Sequence, residues 1–194
     1  QHVLFAVDPF ESGFTGGVFV AAGDLDGDAV PDLVISPDQG GGPRLRVFSG
    51  NCFTELADFY GIDDPDFRGG ARVSLGDVNG DGVADLVVSA GFLGGPRIAV
   101  FDGRSLASGS GDPGRLVGDF FAFEDTLRNG AFVAAGDVTG DGQADLAFGG
   151  GPGGAPRVRL FDGAKLLAAP AFSNVDAAGA AQRANFFAGD VNLR

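Results

Sequence analysis

Short apolar runs separated by glycine-rich or acidic turns make up most of this chain. One set of runs is almost continuously apolar, as is typical of strands buried on both faces. It comprises residues 32–36, 85–89 and 145–148. A second set alternates apolar with other residues, as is typical of strands with one buried face. It comprises residues 44–48, 97–101 and 157–161. Because turn residues bound these runs of strand length, the pattern predicts an all-β fold.

Two further strands complete a unit of four. The first strand of each unit is short and rich in small and β-branched residues, and we place it at residues 18–22, 71–75, 131–135 and 184–188. The fourth strand is weaker, and we place it at residues 56–60, 117–123 and about 168–172. Residues 3–7, from Val3 to Val7, have the pattern of one more fourth strand, ahead of the first unit.

The connections after the third strands carry two local signals. Asp102-Gly103 and Asp162-Gly163 predict type I′ hairpin turns, since both central residues of such a turn take positive φ. Residues 164–169 contain good helix formers, but Pro170 limits this competing helix to about one turn.

The units are internal repeats in which an aspartate and an arginine recur at a fixed spacing. Their leading aspartates, at intervals of 53, 60 and 53 residues, are Asp24, Asp77, Asp137 and Asp190. An arginine follows each of the first three aspartates after 20 residues, at Arg44, Arg97 and Arg157. The longer second repeat therefore has its insertion after this arginine, in the polar stretch 104–114.

Four strands in about 53 residues is the size of a β-propeller blade. We therefore predict a single β-propeller region of four-stranded antiparallel blades, with about three blades plus partial flanking strands. The repeats span residues 17–69, 70–129 and 130–182, a partial repeat spans 183–194, and residues 1–16 supply the fourth strand of a preceding blade. Such a propeller is incomplete, or is completed by oligomerisation. Phenylalanine, with 19 residues, is expected to pack between the blades.

The turn between the first and second strands places oxygen-bearing side chains at alternate positions. Counted from the leading aspartate, they fall at positions 1, 3, 5 and 9, and position 7 can offer its carbonyl. The first loop has Asp24, Asp26, Asp28 and Asp32, with Val30 at position 7; the second has Asp77, Asn79, Asp81 and Asp85, with Val83; the third has Asp137, Thr139, Asp141 and Asp145, with Gln143. Ligand sets made of oxygen alone, on flexible loops, suit Ca²⁺, so we predict about three calcium sites.

Two other interpretations of these loops are open. A helical calcium-binding loop shares oxygens at positions 1, 3 and 5 but requires a bidentate Glu at position 12, which is here Ile35, Val88 or Phe148. The loops could also be plain Asp-Gly turns. Ala29 replaces Gly at position 6 of the first loop, so that loop must avoid positive φ or carry strain of about 1 kcal/mol. Thr139 makes the third site the weakest by ligand quality.

The repeated Asp-x-(Asp/Asn)-x-Asp-Gly-x-x-Asp core resembles repeats of the FG-GAP or VCBS type, found in integrin α-subunit propellers and in many bacterial secreted proteins. The resemblance covers nearly the whole chain. It implies that the side chains at positions 1, 3, 5 and 9 ligate Ca²⁺ between the first two strands of each blade. It also implies an extracellular or cell-surface location, and it fits both adhesion modules and proteins that bind or act on polysaccharides.

Charge and composition limit the classes of partner that the chain can bind. The net charge is −13, from 26 acidic and 13 basic residues, which argues against nucleic acid or an anionic membrane as a partner. The sequence has no apolar run of 18 residues, so we expect no membrane insertion. Cys52 is the single cysteine, so an intrachain disulfide cannot form. Since the sequence shows no Met and no signal peptide, we expect a processed or excised piece of a longer product.

Catalytic signals are weak. His2 is the only histidine, and the acidic pairs Asp63-Asp64 and Glu124-Asp125 fit solvated turns better than a catalytic carboxylate pair. The three repeated arginines either form a ring that binds a carboxylate or make structural pairs. They are Arg44, Arg97 and Arg157. We expect a secreted, non-catalytic, calcium-stabilised scaffold or adhesion module that binds a protein or glycan. The alternatives are a carbohydrate-binding module or part of a polysaccharide-acting enzyme, and a subunit of a surface or filament assembly that forms homo-oligomers through open blade edges.

Overall fold

The computed structural model describes residues 3, 5–109, 113–168, 179 and 181–189. In this part of the chain, twelve strands form three separate four-stranded antiparallel sheets. The first sheet contains β1 (Val18–Gly23), β2 (Asp32–Pro37), β3 (Arg44–Phe48) and β4 (Glu55–Tyr60). The second contains β5 (Ala71–Gly76), β6 (Asp85–Ala90), β7 (Arg97–Phe101) and β8 (Arg115–Phe121). The third contains β9 (Ala131–Gly136), β10 (Asp145–Gly150), β11 (Arg157–Phe161) and β12 (Gln182–Phe187). The predicted fold class is confirmed, and we call each sheet a blade.

The blades share one internal register. In each, the first two strands form a hairpin that closes where a glycine pairs with the ninth-position aspartate of the acidic loop. These pairs are Gly23 with Asp32, Gly76 with Asp85, and Gly136 with Asp145. All three acidic loops therefore leave their sheets at equivalent positions.

The blades stack in chain order, with the first strand of one blade against the strands of the blade before it. β5 contacts β1 and β2, and β9 contacts β5 and β6. Two apolar cores fill the two junctions. Phenylalanines meet across both, as expected: Phe59 lies 5.1 Å from Phe101 between ring centroids, and Phe120 lies 5.9 Å from Phe148. Full burial of such a side chain stabilises the fold by about 1.5–3 kcal/mol.

The placement of residues 184–188 as the first strand of a fourth repeat is wrong. They belong to β12, which pairs with β11 as the outer strand of the third blade. The Arg157 guanidinium donates to the Asn185 side chain of β12 at 2.9 Å, as Arg44 donates to a fourth-strand aspartate in the first blade. The fourth strand expected at about 168–172 falls mostly outside the described residues, as does Asp190, and Ala168 ends a helix.

The N-terminal segment is not the predicted strand. The described residues among 3–7 pair with none of the three sheets, and the described part of the chain holds no third strand of a preceding blade beside which they could lie. Side chains hold the segment instead. The Phe5 ring stacks on Phe53 at 4.9 Å and lies 5.7 Å from Phe48. The Arg46 guanidinium donates to the Pro9 carbonyl at 2.9 Å.

Short helices replace the predicted type I′ turns. α1 (Gly103–Ala107) and α2 (Gly163–Ala168) follow β7 and β11. The Asp102 carboxylate caps α1 by accepting from the Ser105 N–H at 3.2 Å, so the Asp-Gly pair serves as a helix start. No helix in the described part of the chain has the length and apolar character needed to cross a membrane.

Candidate metal centre

The leading aspartate of each loop organises the backbone around its own carboxylate. In the first loop Asp24 accepts from the Gly27 N–H at 2.7 Å with one oxygen and from the Ala29 N–H at 2.9 Å with the other. Asp77 accepts in the same way from Gly80 and Gly82. Asp137 repeats the arrangement with Gly140 and Gly142. The identical bonding shows that the repeated sequence encodes one loop shape three times.

The side chains at positions 3 and 5 close successive turns on the same loop. Asp26 accepts from the Asp28 N–H at 3.0 Å, and Asp28 accepts from the Val30 N–H at 2.8 Å. Carboxylate oxygens of Asp24, Asp26 and Asp28 lie within 4.8 Å of one another. Each oxygen that accepts one N–H keeps a further lone pair, so the group can still face a cation.

The second and third loops repeat these turns with one neutral side chain each. Asn79 accepts from the Asp81 N–H at 2.9 Å, and Asp81 accepts from the Val83 N–H at 2.9 Å. Asp141 accepts from the Gln143 N–H at 3.0 Å, while Thr139 stands at position 3. The first loop therefore carries the densest negative charge of the three.

Crowding of carboxylates affects protonation in the first loop. Burial, together with the charges of Asp32, Asp28 and Asp24, raises the pKa of Asp26. A bound cation would reverse this effect, because an opposite charge nearby favours the ionised carboxylate. The oxygen-only donor set and its close spacing fit a hard divalent cation such as Ca²⁺.

The ninth-position aspartates lie beneath the loops and hold two pieces of backbone together. Asp85 is fully buried; it accepts from the Val78 N–H at 2.8 Å and from the Gly103 N–H at 3.1 Å. Burial raises the pKa of Asp85 to about 6. Asp32 and Asp145 make the equivalent bonds. In the first loop the structure thus brings positions 1, 3 and 5 together, and in all three loops it places position 9 as a buried clamp. The predicted role of position 9 as a ligand stays a prediction, as does that of the carbonyls of Val30, Val83 and Gln143.

Position 6 takes positive φ in all three loops. Ala29 has a φ of 66°, beside 84° at Gly82 and 87° at Gly142. The first loop therefore follows the second of the two expected routes: it keeps the common shape and accepts left-handed strain, about 1 kcal/mol for a residue with a Cβ.

Adjacent loops are joined by backbone hydrogen bonds that the sequence did not indicate. The Ala84 N–H of the second loop donates to the Asp24 carbonyl of the first at 2.8 Å. The Ala144 N–H of the third loop donates to the Asp77 carbonyl at 2.6 Å. Both donors stand at position 8, and both acceptors stand at position 1. The three candidate sites are thus a connected row.

Arg104 is a second feature that the sequence reasoning missed. Its guanidinium donates to the Asp81 carboxylate at 2.8 Å and to the Asp81 carbonyl at 3.0 Å. The signal was present in the repeat alignment, where Asn51 and Ala164 stand at the equivalent positions. Arg104 therefore gives the second loop an internal cation that competes for one position-5 oxygen.

The three repeated arginines, Arg44, Arg97 and Arg157, make structural pairs. The Arg97 guanidinium donates to Asp119 of β8 at 2.7 Å, and Arg44 donates to Asp58 of β4 at 2.7 Å. Arg157 pairs with Asn185 and also with Glu124, at 2.7 Å. Each arginine ties the third strand of its blade to the fourth. The missed signal was the short motif of the fourth strands, Asp or Asn followed by two aromatic residues.

A scan against family models matches residues 69–109 to the FG-GAP repeat. The matched segment contains β5 to β7, the second acidic loop and α1. A search of curated proteins gives no match. The resemblance to FG-GAP repeats, drawn from the loop motifs, is therefore confirmed by the match to the second blade.

Proposed function

We propose that this chain, a row of propeller-type blades that includes an FG-GAP repeat, is a calcium-stabilised scaffold for binding or adhesion outside the cell and has no catalytic role. The observation that carries the proposal is the threefold repetition of one oxygen-lined loop. Calcium in these loops would neutralise clustered carboxylates and fix the loop backbone. Loops held in this way suit a rigid display surface.

The character of the donor sets supports the extracellular part of this proposal. The loops are exposed and use neutral ligands at position 3 in two of three cases. Calcium sites of extracellular modules have a Kd of about 10⁻⁴–10⁻³ M, which matches calcium supplied at millimolar concentration. A site of that affinity would remain empty at the calcium concentrations of cytosolic sensing.

Thermal unfolding with and without calcium tests the proposal. At a calcium concentration of about 100 times Kd, each site adds about 2.7 kcal/mol to the free energy of unfolding, or about 5 °C or more in Tm. Titration calorimetry should give about three sites per chain. Asp28→Asn changes position 5, where all three loops have an aspartate, and should remove one site. Asp63→Asn, an equal charge change in an exposed turn, should leave all of them. An unchanged Tm after chelation would refute the role of calcium.

A second candidate function, glycan binding, is favoured by a cleft on the first blade. The cleft has a volume of about 550 Å³ and lies between residues 10–16, residues 37–42 and the end of β4. Phe10, Phe14 and the half-exposed Tyr60 line it, together with Arg44 and Arg68. The aromatic faces suit a sugar ring, and the Arg68 guanidinium suits a carboxylate on that sugar, since Arg44 is already paired with Asp58. A glycan array in calcium, with Tyr60→Ala as the control, separates this candidate from a scaffold that binds protein alone.

A further inference from the structure

The two junctions between blades share three contacts. The apolar residue at loop position 2 is buried under the next blade, as Leu25 and Val78 are. The carbonyl at loop position 1 accepts from the N–H at position 8 of the next loop. A fourth-strand phenylalanine, Phe59 or Phe120, contacts an aromatic ring of the next blade. We call the side of a blade that makes these contacts its trailing face.

The third blade carries the same groups on its trailing face, and there they are exposed. Val138, at loop position 2, is 64% exposed, and Phe186, which takes the place of Phe59 and Phe120, is 50% exposed. None of the described amides donates to the Asp137 carbonyl. A Cβ built on Gly136 would meet no atom within 4 Å, whereas one on the equivalent Gly76 would lie 2.8 Å from Ala144. Among the residues that the structure describes, this face has the form of the two covered faces and lacks their cover.

The first blade of a second copy is a poor cover, for two reasons. Pro31 stands at position 8 of its loop and has no N–H to donate, so the Asp137 carbonyl would lose its hydrogen bond. In addition, Phe48, which is equivalent to Phe101, is already contacted by Phe5 of the N-terminal segment. Phe5 thus contacts the ring that corresponds to the partner of Phe59 in the first junction.

We propose that the trailing face of the third blade binds the first strand and acidic loop of another blade of this repeat type, one that has a backbone N–H at loop position 8. Pro31 and Phe5 exclude the chain's own first blade from that role. They would thereby prevent head-to-tail stacking of copies of this chain. This inference does not depend on cation binding.

The test restores the missing donor and frees Phe48. Phe5→Ala combined with Pro31→Ala gives the first blade the features of the second and third. Analytical ultracentrifugation in calcium should find the wild-type chain at its monomer mass of 19.6 kDa. The double variant should associate, with a mass at least about twofold higher at roughly 100 µM. Adding Val138→Asp to the double variant should return it to monomers, and circular dichroism should show all variants folded.

Three results would overturn the proposal. Wild-type chains that associate and are separated by Val138→Asp would show that the first blade fits despite Pro31. A double variant that is folded but stays monomeric would show that Pro31 and Phe5 are not what prevents stacking. Association that Val138→Asp leaves intact would place the contact on a different surface.

Discussion

At the scale of single residues, backbone conformation separates the first loop from the other two. Ala29 adopts the positive φ that glycine supplies in the second and third loops. The carboxylate of Asp24 still accepts its N–H at 2.9 Å, so the hydrogen bonds of the loop outweigh the steric cost. The strain at this residue could be expected from the sequence, because the repeats show which residue type the position needs.

Replacing Ala29 with glycine should therefore stabilise the fold. We expect Ala29→Gly to raise the free energy of unfolding by about 0.5–1 kcal/mol, measured by urea denaturation. Ala21→Gly, in β1 where φ is negative, is the control and should destabilise the fold by a similar amount. Equal destabilisation by both substitutions would show that Ala29 is not strained.

At the scale of elements, close backbone approach and strand pairing define the blade. Gly103, at the start of α1, allows the helix to pass the second acidic loop, since a Cβ there would lie 1.9 Å from the Ala84 carbonyl oxygen. Gly50 and Gly163 meet Pro31 and Ala144 in the same way. The glycine after each third strand is thus required because a side chain there would collide with the backbone of the acidic loop. This steric requirement, and not a hairpin turn, explains the Asp-Gly dipeptides.

Gly103→Ala should accordingly be costly. We expect a loss of about 1–3 kcal/mol in the free energy of unfolding, because the new methyl group must displace backbone. Gly118→Ala in β8 is the matched control: its Cβ would meet no atom within 4 Å, so it should change stability by about 0.5 kcal/mol or less. Similar effects of the two substitutions in chemical denaturation would contradict the steric explanation.

The pairs between third and fourth strands should give the fold a dependence on acid. Hydrogen bonding from Arg44 holds the pKa of Asp58 below its ordinary value of 3.8. Because the folded-state pKa is the lower one, the stabilisation is present above the unfolded value and is lost as the pH falls through the folded value.

Asp58→Asn tests this pair. At pH 7 the variant should be less stable than the wild type by roughly 1 kcal/mol, and the difference should shrink between about pH 5 and pH 2. Asp66→Asn, in an exposed turn, should show no such convergence. A constant difference across this range of pH, measured by denaturant unfolding, would exclude the Arg44–Asp58 pair as its source.

At the scale of the whole molecule, position in the row decides how much an equivalent residue contributes. Phe120 and Phe186 occupy the same site in the second and third blades, yet Phe120 is 1% exposed and Phe186 is 50% exposed. Phe120→Ala should cost about 3–5 kcal/mol, since it opens a cavity between two blades. Phe186→Ala should cost less than about 1 kcal/mol in the isolated chain. Equal losses in thermal unfolding would show that the third blade is not an open end.

Most strands of the blades and part of the candidate metal site could be predicted from the sequence. Repetition revealed the strands and the loop oxygens, because each copy confirmed the others. It failed at residues 184–188, whose Ala-Gly-Asp ending matches the end of a first strand, although Asn185 and two phenylalanines match a fourth strand. It also could not show the bonds between loops. Their donors and acceptors are backbone groups, which every residue type other than proline carries.

Those bonds between neighbouring loops have a consequence for how the row would respond to calcium. An ion that fixes Asp77 also steadies the carbonyl to which Ala144 donates, and through Ala84 it reaches the backbone of Asp24. A neighbouring loop that is already ordered loses less conformational entropy when its own ion arrives. The three sites would then bind calcium cooperatively. A modest rise in calcium concentration would order all three loops together.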